Sequence, residues 1–385
     1  MPQTFRFVLQ ALPLTLAVVL LAGCPPSPDE AEALRVAPDL TAQFVVDPAD
    51  HPSALVPAPD GRFFYTEKNT GQIRVIKDGV LLNAPFATVP VNFAGERGLL
   101  SLALHPAFNV NGRVYVFYSR SDTGLATDDP QAIVDHRVVF FEADGAGSDV
   151  STNTEVFVVS LPTASALTRI GGRIAFDNTR ALLVALGDEE QADTAQDPNS
   201  PLGKVLRLND DGTIPGDNPA PTSAVYALGF CDPRGLTIDS VSGYPFMTER
   251  SADTFNEVNR IQGGSNYGWP IVVGFADTPA ELAFVAQHPE YGAPVTQTTQ
   301  ALIGAAFNPS GKYGPKLVLQ LFFGVSDRRE VFSLPLSTAR TASQPGVLFA
   351  SGLPSTITDV VFSPGGTLYV ACVDAILRIV PSEPL

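Results

Sequence analysis

One short pattern occurs six times along this chain: an apolar strand, a turn rich in Gly, Pro, Asp or Asn, and a second apolar strand. The six copies begin at Ala54, Leu102, Ile174, Leu236, Ala305 and Val360. Short apolar runs joined by such turns are typical of hairpin strands. A unit that returns roughly every 50 to 70 residues indicates the blades of a propeller. The sequence therefore predicts an all-β fold, a six-bladed β-propeller, with its site at one end of the central channel.

The first 24 residues have the pattern of an export signal. Arg6 is the only charge before a mostly apolar stretch from Ala11 to Ala22, which is too short to span a membrane. The stretch ends in Leu21-Ala22-Gly23-Cys24, which resembles a bacterial lipobox. This resemblance implies cleavage before Cys24 and lipid attachment to its thiol. An ordinary signal peptide with a chance cysteine is the alternative.

The rest of the chain divides into a tether and the propeller. Residues 25–40 begin with a run rich in Pro, Asp and Glu, which predicts a flexible tether, and residues 41–385 form the propeller. The expected location is the cell envelope, where the exported protein is attached to a membrane through the lipid on Cys24, facing the periplasm or the outer membrane. The net charge of −16 argues against nucleic acid as a partner, because nucleic-acid binders need a basic surface.

Cysteine and histidine usage gives no transition-metal site. Beyond Cys24 only Cys231 and Cys372 remain, and they either pair in an oxidising compartment or stay as two buried thiols. The four histidines are scattered, and no spacing typical of zinc ligands occurs.

Three longer segments carry more than a generic propeller pattern. They run over residues 95–115, which include Gly95-Glu96-Arg97-Gly98-Leu99-Leu100, over residues 171–219, which open with Gly171-Gly172-Arg173, and over residues 229–270, which end in Tyr267-Gly268-Trp269-Pro270. Together they resemble the quinoprotein glucose/sorbosone dehydrogenases, and the resemblance covers nearly the whole chain after the signal, in order.

The resemblance implies a six-bladed propeller that binds pyrroloquinoline quinone (PQQ) and calcium at the channel mouth. It implies oxidation of an aldose sugar at C1, with a histidine as general base, because histidine titrates near neutral pH. It also implies arginines that hold the quinone carboxylates through charge-assisted hydrogen bonds. The quinone would carry the redox chemistry while the protein orients it.

Several of the implied catalytic positions hold other residues in this chain. The place of the histidine base, two residues before the Gly-Gly-Arg motif, holds Arg169, which stays protonated and cannot accept a proton. A changed, anion-binding site and simple drift on a loop both remain open there. Glu96 stands in place of a glutamine on the substrate side, and Asp232 in place of an asparagine at the reactive end of the quinone.

The implied quinone-binding cations are also replaced. Cys231 occupies one arginine position, and Thr356 and Thr358 occupy two others near the C-terminus. Arg97, Arg250 and Arg328 are the arginines that would have to compensate.

The calcium positions are partly kept. Glu257 and Tyr267 match positions that bind a structural calcium in the family, where carboxylate and backbone carbonyl oxygens suit this ion. Ser251 and Ala252 stand at the Gly-Pro pair whose carbonyls bind the catalytic calcium. Asn256 replaces an acidic neighbour, so we expect a weaker structural site.

Three functions follow from these patterns. The first is PQQ-dependent oxidation of aldose sugars, weak or lost because the base and the quinone-binding arginines are replaced. The second is a non-catalytic propeller that binds a small sugar or an envelope protein. The third is a different chemistry in the same channel, using Glu96, Asp232 or Arg169.

Overall fold

The computed structural model describes residues 35–36, 40–252, 254–342 and 344–382. The predicted signal peptide and the lipidation site at Cys24 lie outside these residues. None of the helices in the described ranges is long and apolar enough to cross a membrane.

The described chain forms six antiparallel sheets, so the predicted six-bladed propeller is confirmed. Two strands precede the blades: β1 (Arg35–Val36) and β2 (Leu40–Val46). The first blade contains β3 (Pro52–Pro57), β4 (Phe63–Glu67), β5 (Gln72–Lys77), β6 (Val80–Leu81) and β7 (Ala87–Thr88). The second contains β8 (Leu99–Leu104), β9 (Arg113–Ser121), β10 (Ile133–Glu142) and β11 (Val156–Leu161). The third contains β12 (Gly171–Phe176), β13 (Leu182–Leu186), β14 (Lys204–Leu208) and β15 (Val225–Leu228).

The remaining blades follow the same plan, and each of the six sequence repeats supplies the two innermost strands of one blade. The fourth contains β16 (Asp232–Ile238), β17 (Pro245–Arg250), β18 (Asn256–Arg260) and β19 (Thr296–Thr298). The fifth contains β20 (Leu302–Phe307), β21 (Leu321–Val325), β22 (Glu330–Leu334) and β23 (Val347–Ser351). The sixth contains β24 (Ile357–Phe362), β25 (Leu368–Cys372) and β26 (Ile376–Pro381). The described helices are α1 (Phe108–Asn111), α2 (Pro279–Gln287) and two 3₁₀ turns, Ala192–Gln196 and Pro315–Leu317.

The two ends of the chain meet in the sixth blade. Strand β2 pairs antiparallel with β26, from Leu40 opposite Pro381 to Val46 opposite Ile376, and forms the outer strand of that blade. Strand β1 pairs with β23 at the outer edge of the fifth blade. Strand pairing therefore begins inside residues 25–40, the segment predicted as a tether. An edge strand such as β1 is held by backbone hydrogen bonds and needs no apolar alternation of its own, so the sequence pattern did not reveal it.

Apolar side chains fill the spaces between neighbouring blades. One cluster joins Phe64 of the first blade to Val116 and Val139 of the second, all fully buried. Between the last two blades, the ring of Phe322 packs edge-on against two others, with centroid distances of 5.1 Å to Phe349 and 5.0 Å to Phe362. Edge-to-face contacts add to the stabilisation from burial. This packing between blades fixes the positions of the inner strands.

Every inner strand carries a one-residue β-bulge near its N-terminal end. The register against the next strand shifts at the same level in all six blades, which leaves one extra residue unpaired in each. A bulge bends its strand and redirects the extra side chain. In five blades the extra residue follows directly from the register; these are Ser53, Leu100, Gly172, Arg234 and Thr358.

Both remaining cysteines are free and buried, so the second of the two alternatives is correct. Cys231 directly precedes β16 and Cys372 ends β25, and neither forms a disulfide.

Candidate functional site

The central channel has a cavity at each end, and the two differ in chemistry. The larger, of about 860 Å³, lies where the inner strands end and is lined mainly by apolar side chains such as Leu104, Phe176 and Phe362. The smaller, of about 250 Å³, lies where the inner strands begin and is lined by charged groups. We call it the mouth cavity; its lining includes Ser53, Lys68, Glu96, Leu100, Arg173 and Arg234. Despite its smaller size, the mouth is the stronger candidate because polar groups converge there.

Two carboxylates and two guanidinium groups form a closed network at the mouth. Arg234 Nη2 lies 2.6 Å from Glu96 Oε2 and 2.7 Å from Asp232 Oδ2. Arg250 Nη2 lies 2.5 Å from Glu96 Oε1 and 2.9 Å from the same oxygen of Asp232. Each arginine therefore contacts both acids, and the four formal charges sum to zero. The structure thus brings Glu96 and Asp232 together, as the sequence motifs suggested.

Burial gives this network its strength. The Asp232 side chain is fully buried, and this burial raises its pKa while Arg234 and Arg250 oppose the rise. Burial would also raise the pKa of Glu96, but the two guanidinium groups outweigh it and lower that pKa to about 2. Removing either of the two cations that contact a buried acid costs a large free energy, because it leaves a buried charge unpaired.

Arg169 also reaches the mouth, but its guanidinium is already bound. Its backbone N–H donates to Glu96 Oε2 at 2.8 Å, and its φ of 58° is the left-handed conformation. Arg169 Nη1 donates to Asp188 Oδ2 at 3.1 Å, and the same oxygen accepts from the indole N–H of Trp269 at 2.8 Å. The side chain at the implied base position is therefore held in an ion pair with a buried carboxylate.

The three substituted cofactor positions provide no positive charge. Cys231 is buried, and burial raises the pKa of its thiol, so it stays neutral. Thr356 is exposed just before β24. Thr358 is the bulge residue of β24, and its hydroxyl oxygen is buried without a hydrogen-bond partner among the described residues.

The three arginines considered as replacements do not compensate for these losses. Arg97 is fully buried and donates to the backbone carbonyls of Pro130, Ser165 and Ala166. Arg328 is more than half exposed and lies 3.9 Å from Glu330. Only Arg250 faces the mouth, and there it is neutralised by the network.

Two other cations at the mouth were not singled out by the motifs. Lys68 follows β4 in the first blade and donates to Asn69 Oδ1 and to the Phe93 carbonyl. Arg173, on β12, donates from Nη1 to the Ser53 carbonyl at 3.1 Å. Neither has a carboxylate oxygen within 4.0 Å among the described residues. Arg173 is the last residue of the Gly-Gly-Arg motif, which was the one available signal for it.

A second, much smaller cavity lies beside β17 and β18. It measures about 10 Å³, close to the size of one water or one ion, and is bordered by Glu249, Ser251, Glu257 and Tyr267. Glu249 and Glu257 lie directly opposite each other in the sheet. Burial is the main cause that raises the pKa of both, to about 7 for Glu257, and the neighbouring carboxylate adds to it for Glu249.

Both carboxylates in this small cavity are oriented by hydrogen bonds. The side-chain amide of Asn259 donates to Glu249 Oε2 at 2.9 Å and to Glu257 Oε2 at 3.0 Å. Backbone N–H groups of Cys231 and Gly274 donate to the other two oxygens at 2.5 Å. The sequence motifs pointed to Glu257 and Tyr267 but missed Glu249, because only strand register shows that it faces Glu257.

The two calcium positions taken from the Gly-Pro pair differ in their environment. Ser251 borders the small cavity, whereas Ala252 is exposed and does not line it. The amide of Asn256 donates to the Gln300 carbonyl and its oxygen accepts from Ser251 N–H, so it acts as a link in the loop. Within the described ranges, no three His, Cys, Asp or Glu side chains are grouped as a metal site. Any cation here would need backbone oxygens in addition to the two glutamates.

One buried cluster has the hydrogen-bonding order of a hydrolytic triad, but a substrate cannot reach it. It consists of Ser119, His136 and Glu189. Ser119 Oγ lies 3.0 Å from His136 Nδ1, and His136 Nε2 lies 2.9 Å from Glu189 Oε1. All three side chains are at most 1% exposed. A substrate cannot reach the hydroxyl, so this cluster stabilises the blade instead of catalysing hydrolysis.

Comparison with known proteins agrees with this architecture. The sequence model of the glucose/sorbosone dehydrogenase family matches residues 49–378. The chain is 30% identical over 363 residues to the aldose sugar dehydrogenase YliI of Escherichia coli (strain K12), which covers 88% of this chain and 91% of that protein. It is 29% identical over 262 residues to quinoprotein glucose dehydrogenase B of Acinetobacter calcoaceticus, covering 61% and 53%.

Solved structures show the same fold. The apo form of the soluble aldose sugar dehydrogenase from Escherichia coli superposes with a TM-score of 0.75 at 27% identity, covering 89% of this chain and 99% of that one. The PQQ-bound aldose sugar dehydrogenase from Streptomyces coelicolor superposes with a TM-score of 0.74 at 23% identity, covering 90% and 99%. The resemblance inferred from the motifs is therefore confirmed.

The network at the mouth predicts an acid-sensitive contribution to stability. Glu96 has a folded-state pKa of about 2 against an ordinary value of 4.5. Its contribution, roughly 3 kcal/mol, is therefore complete above pH 4.5 and is lost as the pH falls toward 2. We expect Glu96→Gln to lower the free energy of unfolding in urea at pH 7 by up to that amount and by little near pH 2. The exposed Asp128→Asn variant is the control, and an equal loss at both pH values would contradict the prediction.

Proposed function

Because this chain belongs to the glucose/sorbosone dehydrogenase family, we propose that it is an exported member that binds a sugar at its channel mouth and oxidises sugars with PQQ weakly or not at all. The observation that carries the proposal is the closed network of Glu96, Asp232, Arg234 and Arg250. The family is one of sugar-oxidising propellers. The proposal concerns what the altered mouth of this chain does.

The residues at the mouth do not fit PQQ. The cofactor carries three carboxylates, so it needs cations that are free to bind it. Arg234 and Arg250 are already neutralised, and Cys231, Thr356 and Thr358 are uncharged. Lys68 and Arg173 then leave two cations in the mouth cavity for the three carboxylates of PQQ. In addition, Asp232 Oδ1 is a buried acceptor without a donor among the described residues, and it would repel a quinone carboxylate or carbonyl.

Neither the residue at the implied base position nor Glu96 is suited to act as a general base. Arg169 replaces the histidine and is bound to Asp188. Glu96 is held ionised by two guanidinium groups, and its pKa of about 2 makes it a poor proton acceptor at neutral pH. Asp232 is fully buried, and its Oδ2 contacts Arg234 and Arg250. We therefore favour ligand binding without efficient oxidation over a different acid–base chemistry with Glu96, Asp232 or Arg169.

The paired glutamates fit calcium. Two carboxylates that face each other across a cavity the size of one ion supply hard oxygen ligands, and Ser251 and Tyr267, whose backbone carbonyls the family resemblance implies as ligands, border the same cavity. A divalent cation between Glu249 and Glu257 would also relieve the repulsion between two buried like charges. We propose a structural calcium there.

The N-terminal segment supports export and anchoring. The lipobox-like Leu21-Ala22-Gly23-Cys24 favours a lipid on Cys24 and a location at the cell envelope. We expect the full chain, expressed in a Gram-negative bacterium, to sediment with membranes and Cys24→Ser to remain soluble or unprocessed. Equal distribution of both forms between membrane and soluble fractions would contradict the anchor.

The central prediction concerns the cofactor. Loss of three or more charge-assisted contacts, each worth about 1.5–3 kcal/mol, predicts PQQ affinity at least a thousandfold weaker than in an active quinoprotein glucose dehydrogenase. Calorimetric titration of PQQ with calcium into the chain beginning at residue 25, which keeps every described residue, measures it. Micromolar or tighter binding, or enzyme-like reduction of an artificial acceptor with any aldose, would overturn the proposal.

A variant that rebuilds the implied quinone site sharpens this test. We expect Arg169→His, Cys231→Arg, Asp232→Asn, Thr356→Arg and Thr358→Arg, combined in one chain, to bind PQQ more tightly than the parent chain. The matched control keeps Asp232 and changes only the other four positions. We expect it to bind PQQ more weakly than the variant with all five changes, because the buried acid remains.

The calcium proposal predicts a metal-dependent melting temperature. One millimolar calcium should raise the melting temperature of the chain by a few degrees, because a ligand that binds only the folded state stabilises it. Glu257→Gln should remove this response while leaving the metal-free protein at least as stable, since it relieves the repulsion with Glu249. The exposed Glu290→Gln should respond like the parent chain. A calcium response that persists in Glu257→Gln would place the ion elsewhere.

A further inference from the structure

We propose that the mouth cavity selects a carboxylated sugar, a uronic or aldonic acid, and binds its carboxylate through Lys68 and Arg173. This inference rests on the proposed sugar-binding function and names the class of sugar that the mouth takes.

The wall of the mouth cavity holds cations that do not belong to the closed network. Arg234 and Glu96 both line the cavity, but they belong to the closed network, whose four charges cancel. Lys68 and Arg173 line the same cavity and have no described carboxylate within 4.0 Å. The wall therefore carries two cations that form no ion pair with a described carboxylate, although the chain as a whole has a net charge of −16.

Arg173 has unused hydrogen-bonding capacity. Its guanidinium has five N–H donors. Nη1 donates to the Ser53 carbonyl, and Nε is buried without a partner among the described residues. Nη2 makes no hydrogen bond to a described residue and is not buried, so it is the donor open to a ligand. Asp359 is the acid with the largest effect on Arg173 and offsets part of its charge, but its two oxygens accept from the backbone N–H groups of Leu55 and Val360 and not from the guanidinium. Arg173 thus remains able to bind a planar carboxylate.

Lys68 has weak partners for a charged group. Among the described residues, its ammonium group binds an amide oxygen and a backbone carbonyl, at 3.3 and 3.2 Å, which are long contacts for a charged donor. Burial lowers the pKa of Lys68 to about 8, although Glu96 opposes the shift. A ligand carboxylate would supply the counter-charge that this partly buried ammonium lacks.

The size and remaining wall of the cavity favour a single sugar acid. A volume of about 250 Å³ lies just below the range usual for drug-sized ligands, so it suits one ring or one short polyol better than a fused three-ring cofactor. The two cations stand on different blades, at the end of β4 and on β12, so a ligand that bridges them must enter the channel axis.

Calorimetric titration with matched acidic and neutral sugars tests the inference. D-glucuronate, D-galacturonate and D-gluconate are titrated into the chain beginning at residue 25, with D-glucose, D-galactose and acetate as comparison ligands. We expect at least one sugar acid to bind at least tenfold more tightly than its neutral counterpart and than acetate. Lys68→Gln should reduce this preference at least tenfold, Lys68→Arg should keep most of it, and the exposed Lys316→Gln should not change it.

The outcomes separate this inference from the proposed function. Equal binding of acidic and neutral sugars would overturn the inference and leave sugar binding intact. Acetate binding as tightly as the sugar acids, or a preference that is unchanged in Lys68→Gln, would also overturn it. Absence of binding by every sugar would overturn both the inference and the proposed function. Thermal unfolding of each variant confirms that the propeller is folded, and Arg173→Gln, which changes a more enclosed residue, serves as a second variant.

Discussion

The ring exists because the two ends of the chain are joined by strand pairing. Strand β2 completes the sixth blade against β26, and this holds the first and last blades side by side. A second contact joins the same two blades at the channel, where Leu55 N–H of the first blade donates to Asp359 of the sixth at 3.0 Å. The geometry of the mouth depends on this closure, because the mouth consists of strand ends from different blades that converge on one axis.

The positive charges at the mouth are balanced in a different way from those of a cofactor site. Guanidinium groups that face an axis need counter-charges, and a bound polyanion can provide them. Here Glu96 and Asp232 provide them from within the chain. The network is stable without a ligand, and a ligand that competed for the arginines would have to leave a fully buried carboxylate unpaired. What remains available to a ligand is the charge of Lys68 and Arg173.

Sequence reasoning predicted the blades well and the contacts at the mouth poorly, for physical reasons. Hairpins are local, so turn residues and apolar alternation in the six repeats were enough to predict the two inner strands of each blade. The family motifs also placed Glu96, Arg169 and Asp232 near one another. Ion-pair partners are set by tertiary geometry, however, and Arg234 reaches both acids from a bulge that no pattern in the sequence reveals. Likewise, the pairing of Glu249 with Glu257 depends on strand register.

The six bulges also make the propeller a natural scaffold for redesign. Each adds a residue at the same height around the axis without a partner in its sheet, so its side chain can change while the hydrogen-bond ladder stays intact. Ser53, Leu100, Arg234 and Thr358 are the four that bear side chains at clearly assigned bulges, and they come from four different blades. Gly172 is excluded, since a Cβ there would lie 2.4 Å from the ring of Phe117. Arg234 is paired with the buried Asp232 and Leu100 packs in an apolar cluster, so a library confined to Ser53 and Thr358 would sample new binding specificities with the least change to the core.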